Sequence, residues 1–180
     1  MKTTPNGPCK VAKARLVCGG HRQQEWVNFD KYSTASPVLN ATQFHILMAI
    51  SAGQGLSLYQ TDCTQAFINA TVKPDEHQIY VKQIPGRPDL GGKVLKLERY
   101  LYGCKQSPFF WHKEFESFMC KSGATKVNEE GTLFIHKRAP RSFCTGCLGT
   151  TVFTAPTILH FSSNFAISCL RRMTSRQRTT

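Results

Sequence analysis

The chain has 180 residues, with 23 Lys or Arg against 11 Asp or Glu, a formal net charge of +12, and 41% hydrophobic and 11% aromatic residues. That length holds one ordinary core and excludes a large multidomain enzyme, and the apolar content excludes wholesale disorder, collagen and a coiled coil. The basic excess favours an acidic partner, either nucleic acid or an anionic membrane surface.

Residues 1–10 are expected to be disordered. Residues 11–18 (VAKARLVC) alternate well enough for a strand that puts Lys13 and Arg15 on one face, and Gly19-Gly20 ends it in a turn. Residues 21–40 are polar and irregular. Residues 41–52 (ATQFHILMAISA) predict a helix with Thr42 as N-cap and Gly53 as its stop. Residues 56–61 (LSLYQT) are a short β-prone run with Asp62 at its end. Residues 79–83 and 93–97 predict a hairpin around the loop PGRPDLGG. Ser107 can cap a second helix, with Pro108 in its first turn. Trp111, Phe115, Phe118 and Met119 then recur at helical spacing, and Gly123 is the expected C-cap. Residues 132–136 (TLFIH) predict a last strand. Strands, helices and hairpins in mixed order give an α+β class rather than a regular βαβ repeat.

Charge divides the chain. Residues 1–130 hold 16 basic and 11 acidic side chains, a net +5, whereas residues 131–180 hold seven basic side chains and no acid. Roughly a quarter of average residues are charged, so an acid-free stretch of this length is unusual. It is also rich in Ser, Thr, Phe and Cys, which places a compositional boundary near residues 136–141. Residues 137–180 are expected to be an irregular tail: a nucleic-acid-binding arm, or the product of a shifted reading frame.

No run of about 18 apolar residues is present to cross a bilayer, and the first residues, MKTTPNGPCKVAKARL, lack the apolar centre of a secretory signal. The eight cysteines lie far apart and read as reduced thiols of an intracellular chain, in cytoplasm or nucleus. The sequons at Asn40 and Asn69 are then accidental. Cys144, Cys147 and His160 superficially share a zinc-finger spacing, but positions 164–166 are Asn, Phe and Ala, so chance is the better reading.

Three segments together resemble the reverse transcriptase domain of Ty1/copia-type retrotransposons. They are KARLVCGGHRQQ at 13–24 with SPV at 36–38, LYQTDCTQAFINA at 58–70 with IYVKQIPG at 79–86, and LYGCKQSPFFWHKEF at 101–115. They stand in that family's order and near its spacing, over residues 11–136. The resemblance implies an RNA-directed DNA polymerase, a nucleotidyltransferase with a right-hand fold. This chain would hold its fingers and part of its palm, truncated. The implied chemistry is attack of a primer 3′-hydroxyl on the α-phosphate of a dNTP, over an RNA or DNA template, with two Mg²⁺ ions held by carboxylates.

By that resemblance Asp62 is the first catalytic carboxylate and a metal ligand, and the backbone carbonyl of Cys63 is a neighbouring metal contact. Phe67 is the aromatic gate against a ribose 2′-hydroxyl. Lys13 and Arg15 reach the nucleotide phosphates, and Tyr102, Gly103, Lys105 and Gln106 back the templating base and nucleotide. Residue by residue, plainer readings stay open: Asp62 capping a turn, Phe67 in a core, Lys13 and Arg15 on a solvated face. Trp111 and Phe115 read as helix packing. The family also needs a second acidic site, Tyr-x-Asp-Asp, on a hairpin after the strand at 132–136. No Asp or Glu follows Glu130. The expectation is a chain that does not polymerise DNA; the alternatives are a non-enzymatic basic nucleic-acid binder or a non-functional product.

Overall fold

The computed structural model describes residues 15–82, 93–138, 141–148 and 150–156, with side chains left aside at 137–138, 141–144, 148 and 155–156. The expectations for residues 1–10, Lys13, the hairpin loop, His160 and the last 24 residues lie outside the described residues.

In chain order the elements are α1 (Ala41–Gly53), β1 (Tyr59–Asp62), β2 (Tyr80–Val81), β3 (Leu95–Lys96), α2 (Ser107–Lys121), β4 (Ala124–Lys126), β5 (Leu133–Arg138), β6 (Arg141–Leu148) and β7 (Thr151–Pro156), with short 3-10 turns between. An antiparallel five-stranded sheet runs β1-β7-β6-β5-β4, and β2 and β3 form the expected small hairpin. The α+β class holds.

The N-cap of α1 is Asn40 rather than Thr42. Its side chain accepts from the Gln43 backbone at 2.8 Å, and the Gln43 side chain accepts from the Asn40 backbone at 3.2 Å. This reciprocal box satisfies two helix-end donors, which leaves Thr42 inside the first turn. Leu39 and Leu47 press on β6 where Gly146 has no side chain, and Phe44 meets Phe153 of β7 edge-on at 5.0 Å. Gln106 rather than Ser107 is the N-cap of α2; the Ser107 hydroxyl is spent on the Leu101 carbonyl at 2.6 Å. Trp111, Phe115 and Met119 bury one face of α2, and Phe115 meets the fully buried Phe134 of β5 edge-on. Tyr100, Cys147 and Val152 complete that core.

Two further expectations are corrected. Described residues 15–18 form no strand: one parallel bridge joins Val17 to Tyr102, because Gly103 turns the partner chain away at once. The irregular tail is replaced, over 141–148 and 151–156, by β6 and β7 in the middle of the sheet. Thr145, Cys147, Val152 and Thr154 are buried there. Pleated pairing depends on alternation and on half-buried β-branched or small side chains, and an absence of acids does not weaken it.

Candidate functional site

β1 delivers Asp62 at its C-terminal end. Across the ladder stands Thr151, and the Thr150 hydroxyl donates to Asp62 Oδ1 at 3.0 Å. The Cys63 backbone donates to the Thr150 carbonyl at 2.9 Å, which closes the β6–β7 hairpin onto this strand end. Burial, and secondarily the Asp62 charge, pushes the Cys63 thiol up to about 12, so it stays protonated and packs as a small apolar group. Gln65 then takes a left-handed conformation (φ 54°) and starts the 3-10 turn Ala66–Asn69 that carries Phe67.

The Phe67 ring lies 5.0 Å from the Tyr102 ring, and the Arg15 guanidinium lies 5.8 Å from the same ring's centre. Tyr102 is held from behind, its carbonyl accepting from the Cys18 backbone at 2.7 Å. Gly103 has φ +90°, and a Cβ there would collide with the Cys18 carbonyl oxygen. Only glycine suits both demands. The fold thus gathers Arg15, Phe67, Tyr102 and Gly103 into one cluster.

Lys105 and Gln106 belong to a different set. Gln106 is buried; it donates to the Asn28 carbonyl and accepts from the Gln23 side chain, both at 3.0 Å. The Gln23 side-chain oxygen accepts from the Lys105 backbone at 2.8 Å. The Lys105 ammonium sits 4.7 Å from the Phe29 ring centre and 3.4 Å from the Gln23 carbonyl. Gln23, Asn28 and Phe29 escaped sequence reasoning. The available signal was the rule that a buried amide needs partners, and a polar stretch at 21–40 was the place to seek them.

The donors at the end of β1 are one carboxylate, the Thr150 and Thr151 hydroxyls, and backbone. Two divalent cations with near-octahedral demands need several carboxylate oxygens, so this set does not fit a two-metal centre. Among the described residues no group of three His, Cys, Asp or Glu could hold a metal ion.

A family model described as reverse transcriptase (RNA-dependent DNA polymerase) matches residues 7–147. The chain is also 32% identical over 147 residues to a retrovirus-related Pol polyprotein from transposon TNT 1-94 of Nicotiana tabacum, covering 79% of this chain and 11% of that protein. It is 30% identical over 139 residues to the Pol polyprotein from transposon RE1 of Arabidopsis thaliana, covering 76% and 9%. A truncated transposon Ty1-A Gag-Pol polyprotein of Saccharomyces cerevisiae is 26% identical over 111 residues, covering 61% and 9%. The chain belongs to the Ty1/copia-type reverse transcriptase family. This reverse transcriptase segment spans about a tenth of the length of those relatives. No solved structure matches it. The family match ends at Cys147, just before the β6–β7 turn that brings Thr150 to Asp62.

Proposed function

We propose that this segment of a retrotransposon Pol polyprotein is part of the fingers and palm of a right-hand polymerase and does not polymerise DNA by itself. The observation that carries the reading is the pairing at the end of β1: Thr150 and Thr151 face Asp62 where a second acidic site would have to stand. Two neutral hydroxyls add no charge against divalent cations, and one carboxylate cannot neutralise two of them. Mg²⁺ is the family's metal; here Asp62 and the Cys63 carbonyl are what remains of its site. Phe67, Arg15, Tyr102 and Gly103 are the remains of the nucleotide platform, with Lys13 on the same basic stretch. Lys105 and Gln106 serve it by fixing residues 23–29. The partner left to such a platform is a template-primer of RNA or DNA, with dNTP contacts weakened by the missing metals.

Primer extension with Mg²⁺ and dNTPs on RNA and DNA templates tests this. No template-dependent incorporation is expected. Incorporation that disappears in Asp62→Asn would overturn the proposal.

A further inference from the structure

We propose that Cys18 and Cys104 are a redox modification site, an intramolecular disulfide that staples residues 17–20 to the turn at Tyr102 and Gly103. The backbone already holds the two together. Val17 bridges Tyr102, the Cys18 N–H donates to the Tyr102 carbonyl at 2.7 Å, and the Cys18 carbonyl fills the space a Gly103 side chain would need. Gly103, at φ +90°, then reverses the chain, with the Cys104 N–H reaching the Leu101 carbonyl at 3.4 Å. The turn returns Cys104 towards Cys18, which packs against the buried cluster that holds Cys104, and the Cys18 thiol is one of the neighbours acting on the Cys104 thiol. Disulfides need this proximity in the folded state, since a bridge that requires backbone movement is strained.

Access separates their roles. Cys104 is 4% exposed, and burial first, then the Cys18 contact, pushes its thiol up to about 12. Cys18 is half-buried and lines an open cleft of about 460 Å³ with Leu16, Arg22, Ile79 and Leu101. A small oxidant therefore meets Cys18 first. With hydrogen peroxide, Cys18 sulfur takes one oxygen to become a sulfenic acid and the other oxygen leaves as water. Cys104 sulfur then displaces the sulfenic hydroxyl, its thiol proton leaving with it as a second water. Two thiols and one peroxide give one disulfide and two waters. Cys63 and Cys147 are buried in the core, and Cys120 is exposed on α2, where it reports general oxidation.

The full chain is treated with hydrogen peroxide, alkylated, and digested with trypsin without reductant. Residues 16–22 and 100–105 are separate tryptic peptides with one cysteine each. A linked peptide about 2 Da lighter than the two together is expected, lost on reduction and formed several-fold less in guanidinium. Cys104→Ala should leave Cys18 as a sulfenic acid captured by dimedone. The proposal fails if Cys18 is recovered as a free thiol once Cys120 is oxidised. It fails equally if Cys18 links to the other cysteines as often as to Cys104. Neither result bears on whether the chain polymerises DNA.

Discussion

Asp62 ends β1 with one oxygen occupied by the Thr150 hydroxyl, and Thr151 stands opposite. Replacing both threonines by aspartate would set three carboxylates at one strand end. Like charges about 4 Å apart repel by roughly 1–4 kcal/mol at surface dielectrics, so Thr150→Asp/Thr151→Asp is expected to melt lower than the native chain in EDTA. Millimolar Mg²⁺ should restore it while leaving the native chain unmoved, because only the variant has carboxylates for the ion to bridge. Melting curves with and without Mg²⁺ check this; equal Mg²⁺ responses would mean that positions 150 and 151 do not face Asp62. Gly103 carries the other constraint at this scale. Its left-handed φ and the Cys18 carbonyl both oppose a side chain, so Gly103→Ala should cost about 1–3 kcal/mol or more in urea unfolding. A neutral result would mean that the Val17–Tyr102 bridge is not part of the stable fold.

At the scale of elements, α2 is tied to the loop before β5 by His112, whose Nε2 donates to the Gly131 carbonyl at 3.0 Å. Burial holds the His112 pKa below its ordinary 6.5, outweighing the Gly131 bond and Glu116, while Lys126 on β4 pushes the same way as burial. The unfolded chain therefore binds a proton at a pH where the folded chain does not, and its contribution to stability is intact above about 6.5 and declines as pH falls below it. His112→Gln should flatten the fall in unfolding free energy between about pH 7 and about pH 5; an unchanged slope would assign that fall to other groups. The first helix was legible from the run 41–52 closed by Gly53, and the second because Trp111, Phe115, Phe118 and Met119 recur at helical spacing. Their caps were not, since Thr42 and Ser107 are as good as Asn40 until the chain's entry angle is known. β2 and β3 announced themselves by alternation around a Pro/Gly loop. β6 and β7 did not, because composition masked a plain inward pattern of Thr145, Cys147, Val152 and Thr154. In the site, the family resemblance, not residue type, pointed to Asp62, Phe67 and Tyr102, and one sequence did not show that Phe67 and Tyr102 meet. The Gln23–Gln106 lock is a contact between distant segments, which one sequence does not display.

For the molecule as a whole, the net +12 reads differently once the sheet is known. As far as residue 156, the acid-free stretch is no appendage: β7 lies between β1 and β6, and its Val152 packs in the same cluster as Trp111, Phe115 and Phe134. Without β6 and β7, β1 would have no partner in the sheet, β5 would become an edge, and that aromatic cluster would face water. The cooperative unit must then extend through residue 156, whatever the origin of its composition. Chymotrypsin offers an internal comparison, since Phe134 on β5 and Phe153 on β7 both sit in interior strands. Cleavage needs the strand out of the sheet, so both bonds should open with the same free energy and be cut at rates within about threefold of each other. Cutting after Phe153 more than about tenfold faster than after Phe134, a gap of about 1.4 kcal/mol, would show β7 leaving the sheet while β5 stays. In that case the stable fold would end before the hairpin, and the threonines opposite Asp62 would no longer support the proposed lack of polymerase activity.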